Sequence, residues 1–226
     1  MKTLPLFLLA FCLCVFNPAF PQDEIDHRKN KCTEFSLGSV FPFFWKQNNL
    51  TGSIGDTLKS SGINPKAGFT IGIIRNISIV NTAFFRTGIN VSLYRSNFQY
   101  DFTTGKKNIS SDQLSFEFPF QYVFGFTDLR KLPTTHLYMI AGMRYAYMPT
   151  TGSKGGDPYI NLNKHNFSID LGLGSRIYSH NSHLFGMELL YSFGMLNIKG
   201  RSQNDIYNNS INRIWISSLR LLINFS

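Results

Sequence analysis

Cysteine is nearly missing: of 226 residues only three are Cys, two of them, Cys12 and Cys14, in an apolar leader. Cys32 is left alone, so it closes no intramolecular disulfide, and without clustered His or Cys it is no metal ligand set; it reads as an incidental thiol before the first strand. Runs of Lys and Arg are also missing. The formal charge of +9 is dispersed, which sets nucleic acid aside as a partner. No phosphate loop, zinc spacing or dinucleotide fingerprint occurs, and no cofactor is expected. The apolar stretch from Leu4 to Phe16 is too short for a transmembrane helix, and nothing later offers a helix layer to cover a sheet.

What the chain has is aromatics: 22 Phe and 10 Tyr against 2 Trp. Mean hydropathy nevertheless stays near zero, at −0.08, because Asn, Ser, Thr and Gly fill alternate positions. From Leu114 to Phe126 the alternation is unbroken, with Leu114, Phe116, Phe118, Phe120, Tyr122, Phe124 and Phe126 on one side and Ser115, Glu117, Pro119 and Gln121 among the residues between. Period two sends neighbours to opposite faces of a strand, and thirteen residues at about 3.3 Å each can cross a tilted bilayer.

The same test predicts seven more strands: Glu34–Phe44, Lys66–Ile74, one from Phe84 with a bulge near Arg95, His136–Tyr147, His165–Ser179, Leu184–Ile198 and Ser210–Phe225. Their links alternate. Arg75–Ala83, Asp128–Thr134 and His180–His183 are short, whereas Lys46–Pro65, Phe102–Asp112, Met148–Lys164 and Lys199–Asn209 are longer and rich in Gly, Asn, Ser and Lys. The expected fold is all-β, an eight-stranded antiparallel up-and-down transmembrane β-barrel, placed in the outer membrane of a Gram-negative bacterium. A lipocalin-type soluble barrel is the competitor, but its greasy face points inward around a ligand. Here one face is bulky and apolar while the other mixes Gly, Ser, Asn and charges, which favours the lipid-facing arrangement.

Lys2, the apolar stretch and the cleavage region Asn17-Pro18-Ala19 make residues 1–21 an export signal peptide. Lipidation at Cys12 is disfavoured by bulky Phe11, where a small residue is expected. Residues 22–33 then form a periplasmic tail and 34–226 the barrel.

The polar parity carries Glu34, Arg86, Glu117, Arg144, Asp170, Arg176, Glu188 and Arg220, four acids and four bases. Charges on a lipid face near midplane cost several kcal/mol each, so their confinement to one parity marks the lumen side. Folding adjacent strands about their turns sets Glu117 opposite Arg144 and Arg176 near Glu188, with Glu34 and Arg220 meeting where the first and last strands close. An eight-stranded barrel is just wide enough to fill with side chains, so this network is expected to be a plug.

No catalytic residues are expected. Of the five His, only His165 with Ser168 or Asp170 lies toward the outer leaflet, and His165 does not share their parity. A lipid A-modifying enzyme and a small-solute or ligand-transport barrel are the alternatives. Bases outnumber acids in the long loops and rims, Lys66, Lys106, Lys164 and Arg213 among them, which suits lipopolysaccharide phosphates as well as simple solvation. Trp45 and Trp215 fall at the loop ends of the first and last strands, where indoles favour an interface.

Phe116-Glu117-Phe118-Pro119-Phe120, Tyr138-Met139-Ile140-Ala141-Gly142, Asp170-Leu171-Gly172-Leu173-Gly174 and Glu188-Leu189-Leu190-Tyr191-Ser192-Phe193-Gly194 resemble strand motifs of the PorT-like outer-membrane β-barrel proteins of Bacteroidetes. Leu190 stands where that family has arginine, and Ser226 follows the expected terminal Phe225. The resemblance implies an outer-membrane barrel, with protein components of the type IX secretion and gliding machinery as partners of some members.

Overall fold

The computed structural model describes residues 33–48, 58–80, 83–102, 105–126, 135–149, 152–153, 163–179, 182–198 and 211–225. The signal segment, the tail up to Cys32, His27 and His180 lie outside them. Eight long strands are present: β1 (Thr33–Asn48), β2 (Leu58–Val80), β3 (Ala83–Phe102), β4 (Gly105–Gly125), β5 (Thr135–Tyr147), β7 (His165–Ser179), β8 (Ser182–Gly194) and β9 (Ile211–Phe225), with a two-residue β6 (Gly152–Ser153) after β5. Each long strand pairs antiparallel with its neighbours. The ring closes through β1–β9, where Phe35 meets Phe225 and Trp45 meets Trp215. β6 only extends the rim, lying against Ser111 and Asp112 of β4.

Closure leaves no edge to cap, and alternation then decides what each face meets. Leu171 is 58% exposed and its neighbour Asp170 0%; Leu189 is 50% exposed and Glu188 2%. Phe35, Leu37, Phe69, Ile71, Met139, Leu173, Phe193 and Leu221 continue the outward apolar band. A band of this kind around a closed polar interior is the surface that hydrocarbon, not water, tolerates.

The expected strands have their counterparts, but several bounds differ. The expected loop Phe102–Asp112 is mostly ladder, since Phe102 pairs with Gly105 and Arg95 with Asp112. The link Arg75–Ala83 is strand as far as Val80 opposite Ala83, and residues 58–65 of the expected first loop belong to β2. In the other direction β8 stops at Gly194, short of Ile198. The physical reason is that an apolar period of two exists only where one face meets lipid. Arg75–Val80 does keep that period, with Ile77 and Ile79 exposed, and extends the outward face; Gly105–Gln113 does not, and its backbone pairing continues without the signal. The bulge lies on β2 between Lys66 and Phe69, across from Arg95 and not at it. Burial keeps one parity along β3 from Asn90 to Phe98, while β2 exchanges faces, Ile63 packing inward above the shift and Thr70 and Ile74 below it.

The lumen is filled in alternating layers. At the long-loop end lies an apolar cluster of Val40, Tyr94, Phe98, Met148, Ile198, Ile214 and Ile216. A second, with Val123, Ile140, Leu190 and Leu222, sits nearer the short turns. The buried charges occupy the levels between and below them.

Candidate functional site

Inward parity, imposed strand by strand, brings the eight charged side chains into two layers. The upper layer centres on Glu117 of β4. Its Oε2 accepts from Nη1 of Arg144 at 2.7 Å and from Nη1 of Arg220 at 2.6 Å; its Oε1 accepts from Nη2 of Arg220 at 2.8 Å and from the Tyr94 hydroxyl at 2.5 Å. Arg220 also donates to the Tyr94 oxygen and, through Nε, to Ser218. Asp170 accepts from Arg144 Nε and Nη2 at 3.0 and 2.9 Å and from Gln121 at 2.6 Å. Two carboxylates thus face two guanidiniums, all nearly free of solvent, and the layer is neutral.

The lower layer lies toward the short turns. Arg86 Nη1 meets Glu188 Oε1 at 2.7 Å, and the Tyr138 hydroxyl donates to the same oxygen at 2.6 Å. Arg176 Nη2 lies 2.7 Å from Glu34 Oε1, with its guanidinium 4.5 Å from the Phe84 ring centroid and 5.3 Å from that of Tyr138. Tyr138 occupies this position because its cross-strand partner is Gly174. A Cβ there would meet the Tyr138 ring at 2.4 Å, so only glycine leaves room for the ring to lie flat across it.

The contacts differ in part from those expected. Glu117 and Arg144 do meet, but diagonally: Glu117 stands opposite Ala146, and Arg144 opposite Pro119. Arg220 does not pair with Glu34. On the β1–β9 ladder Arg220 lies opposite Val40, six residues beyond Glu34, about 20 Å along an extended strand. Arg176 and Glu188 are diagonal neighbours, Arg176 facing Gly186 and Glu188 facing Gly174, yet their close ion pairs go to Glu34 and Arg86.

Around the ring β4 and β9 are four strands apart in either direction, and so are β3 and β8. The Glu117–Arg220 and Arg86–Glu188 pairs are therefore chords across the full diameter. Hairpin folding reads neighbouring strands only, so it misses both. It also misses the hydroxyls of Tyr94 and Tyr138. Their signal was available: each sits on an inward parity, and a buried tyrosine needs a partner for its hydroxyl.

The sequence places His165 on the opposite parity from Ser168 and Asp170, and so does the structure. The His165 ring lies on the outward surface, 2.5 Å from the Tyr145 hydroxyl through Nδ1 and against Tyr147, whereas Ser168 and Asp170 point inward. The strand separates them. Among the described residues no three of His, Cys, Asp and Glu converge as a metal set. What the two layers do chemically is neutralise and block: each guanidinium and carboxylate is ion-paired with an opposite charge on another strand, though Asp170 Oδ1 and Arg86 Nη2 are buried without a hydrogen-bond partner.

No family model matches the chain, and no curated protein does. Among solved structures, the outer membrane protein OprG from Pseudomonas aeruginosa aligns with a TM-score of 0.51 at 11% identity, over 87% of this chain and 96% of that one. Ail, the attachment invasion locus protein of Yersinia pestis, gives 0.36 at 14% identity over 85% and 96%. The translocator domain of the autotransporter NalP from Neisseria meningitidis gives 0.35 at 10% identity over 88% and 90%. The first of these shows a shared fold, that of an outer-membrane β-barrel.

Proposed function

We propose that this chain is a non-enzymatic outer-membrane β-barrel of a Gram-negative bacterium, exported by a signal peptide and structural or partner-binding in role. The observation that carries this reading is the pair of chords, Glu117–Arg220 and Arg86–Glu188, which tie opposite walls together across the lumen. With apolar layers above and between them, the axis holds side chains where a solute path would run. Work is then left to the loops, turns and outer surface. The resemblance to PorT-like proteins supports an accessory place in type IX secretion or gliding machinery, and the exposed rim bases Lys66, Lys106, Lys164 and Arg213 suit lipopolysaccharide phosphates.

Two measurements test the reading. Purified protein in planar bilayers is expected to show no stable conductance; reproducible ohmic steps would reject the plug and favour solute transport. A detergent pull-down from native membranes with proteomics is expected to recover secretion components. A barrel that comes down alone would remove the machine from the proposal.

A further inference from the structure

One charge interrupts the apolar outward face. Arg75 of β2 lies half-buried between Ile73 and Ile77, both exposed, on the parity that meets lipid. Other exposed charges of the strands, Lys66, Arg95, Asp112 and Arg213 among them, stand toward the long loops. Arg75 stands toward the short turns. It pairs with Thr33 at the start of β1, two places beyond Phe35, which itself faces Phe225 at the end of β9. From Asn76 to Val80, β2 is laddered to β3 alone among the described residues.

The neighbours of Arg75 are suited to an oxyanion. The register sets Thr33 on one side of it and Thr87 on the other, so two hydroxyls flank a guanidinium across three strands. Thr33 is exposed, whereas Thr87 is 6% exposed and its Oγ1 has no hydrogen-bond partner, an unmet polar group in the outer wall. Two residues toward the long loops, the next outward row is Phe35, Ile73 and Ile89, apolar on all three strands. An arginine on a lipid face is tolerated where its charge is answered and its head reaches the interface while its stem lies along apolar neighbours. Arg75 also makes a contact within the protein, and five N–H donors let one guanidinium serve that contact and an external oxyanion together.

We propose that the row Thr33, Arg75 and Thr87 binds the phosphodiester of a glycerophospholipid in the leaflet at the short-turn end, with an acyl chain along Phe35, Ile73 and Ile89. A guanidinium donates two parallel N–H bonds to a pair of phosphate oxygens, and a flanking hydroxyl adds another. Ile77 and Ile79 keep the wall apolar beyond Arg75 on β2, so the phosphate approaches from the β1 side, where the ladder ends at Thr33. A carboxylate of another protein matches the cation but leaves the apolar row unused. The rim bases assigned above to lipopolysaccharide lie at the opposite end of the barrel, so the two leaflets meet different residues. The inference rests on the membrane placement above and is independent of any secretion partner.

The test places the full barrel, with nitrogen-labelled arginine, in bilayers of phosphatidylethanolamine and phosphatidylglycerol and reads nitrogen–phosphorus dipolar dephasing of the guanidinium signals by solid-state NMR. R75Q is expected to abolish one arginine's share of the dephasing, with the folded band on gels retained, and T87V to weaken that share. Taking the difference from R75Q removes any background from Arg95 and Arg213 at the other rim. Membrane placement is read separately, from broadening of the Leu189 methyl signals by a spin-labelled acyl chain. Dephasing unchanged in R75Q beside intact broadening at Leu189 would overturn the lipid site, leave the placement standing and point to a protein carboxylate as what Arg75 faces. A share lost in R75Q but unchanged in T87V would overturn the part given to Thr87. No broadening at Leu189 rejects the placement and the site together.

Discussion

Replacing Glu117 with glutamine is expected to cost about 3–5 kcal/mol of stability, the usual range for stripping one partner from a buried ion pair. Glutamine keeps the shape of the side chain, so no cavity term enters. What changes is charge: Arg144 and Arg220 remain buried with Asp170 as the only carboxylate of their layer. Neither guanidinium can lose its proton, and neither reaches water. Urea unfolding of the barrel in lipid vesicles, followed by tryptophan fluorescence and the heat-shifted gel band, measures the effect. A loss below about 0.5 kcal/mol, the scale of an ordinary surface substitution, would show that the layer is wet or loosely held. The double variant E117Q/R220Q restores neutrality by leaving Arg144 with Asp170. It is expected to recover much of the loss, a strongly non-additive outcome of the kind that coupled neighbours give.

The reason this layer can be named at all is strand parity. Period-two alternation separated Leu189 from Glu188 and Leu171 from Asp170 on composition alone, because lipid and lumen impose opposite demands on consecutive residues. The same reasoning located the hairpin neighbours. Glu117 with Arg144 follows from folding two strands about one turn, even with the register two residues off. The chords were not legible. Which residue of β9 reaches β4 across the lumen depends on tilt and stagger around the whole ring, and no local period encodes either. Strand ends were hidden for a different reason. Gly105–Gln113 and Leu58–Pro65 are paired backbone whose sequence carries no sustained alternation of apolar residues. The β1–β2 ladder, which ends at Val40 opposite Gly68, shows the limit from the other side. Pro42 and Pro65 are visible in the sequence, but their meaning emerges only once the ladder is seen to end beside them.

Leu189→Arg separates the two barrel architectures most sharply. The residue sits near the middle of β8 with Leu173 and Leu221 as its cross-strand neighbours, both facing outward, so an arginine there would be ringed by leucines with no carboxylate on its face of those pairs. If hydrocarbon surrounds the barrel, the charge lies near midplane and costs about 2–4 kcal/mol. If water does, as in a soluble barrel, the same change on a half-exposed side chain is nearly neutral and relieves a greasy surface. Phe193→Arg provides the depth control. It lies four residues farther toward the long loops on the same face, where a long side chain can snorkel, and its cost is expected to fall to about 0–1 kcal/mol. Equal costs at both positions would point to lost packing and not to depth, since packing between neighbouring outward residues has no reason to follow the membrane normal. A graded pair of values, large at Leu189 and small at Phe193, is an outcome that a bilayer around the outward face produces and bulk water does not.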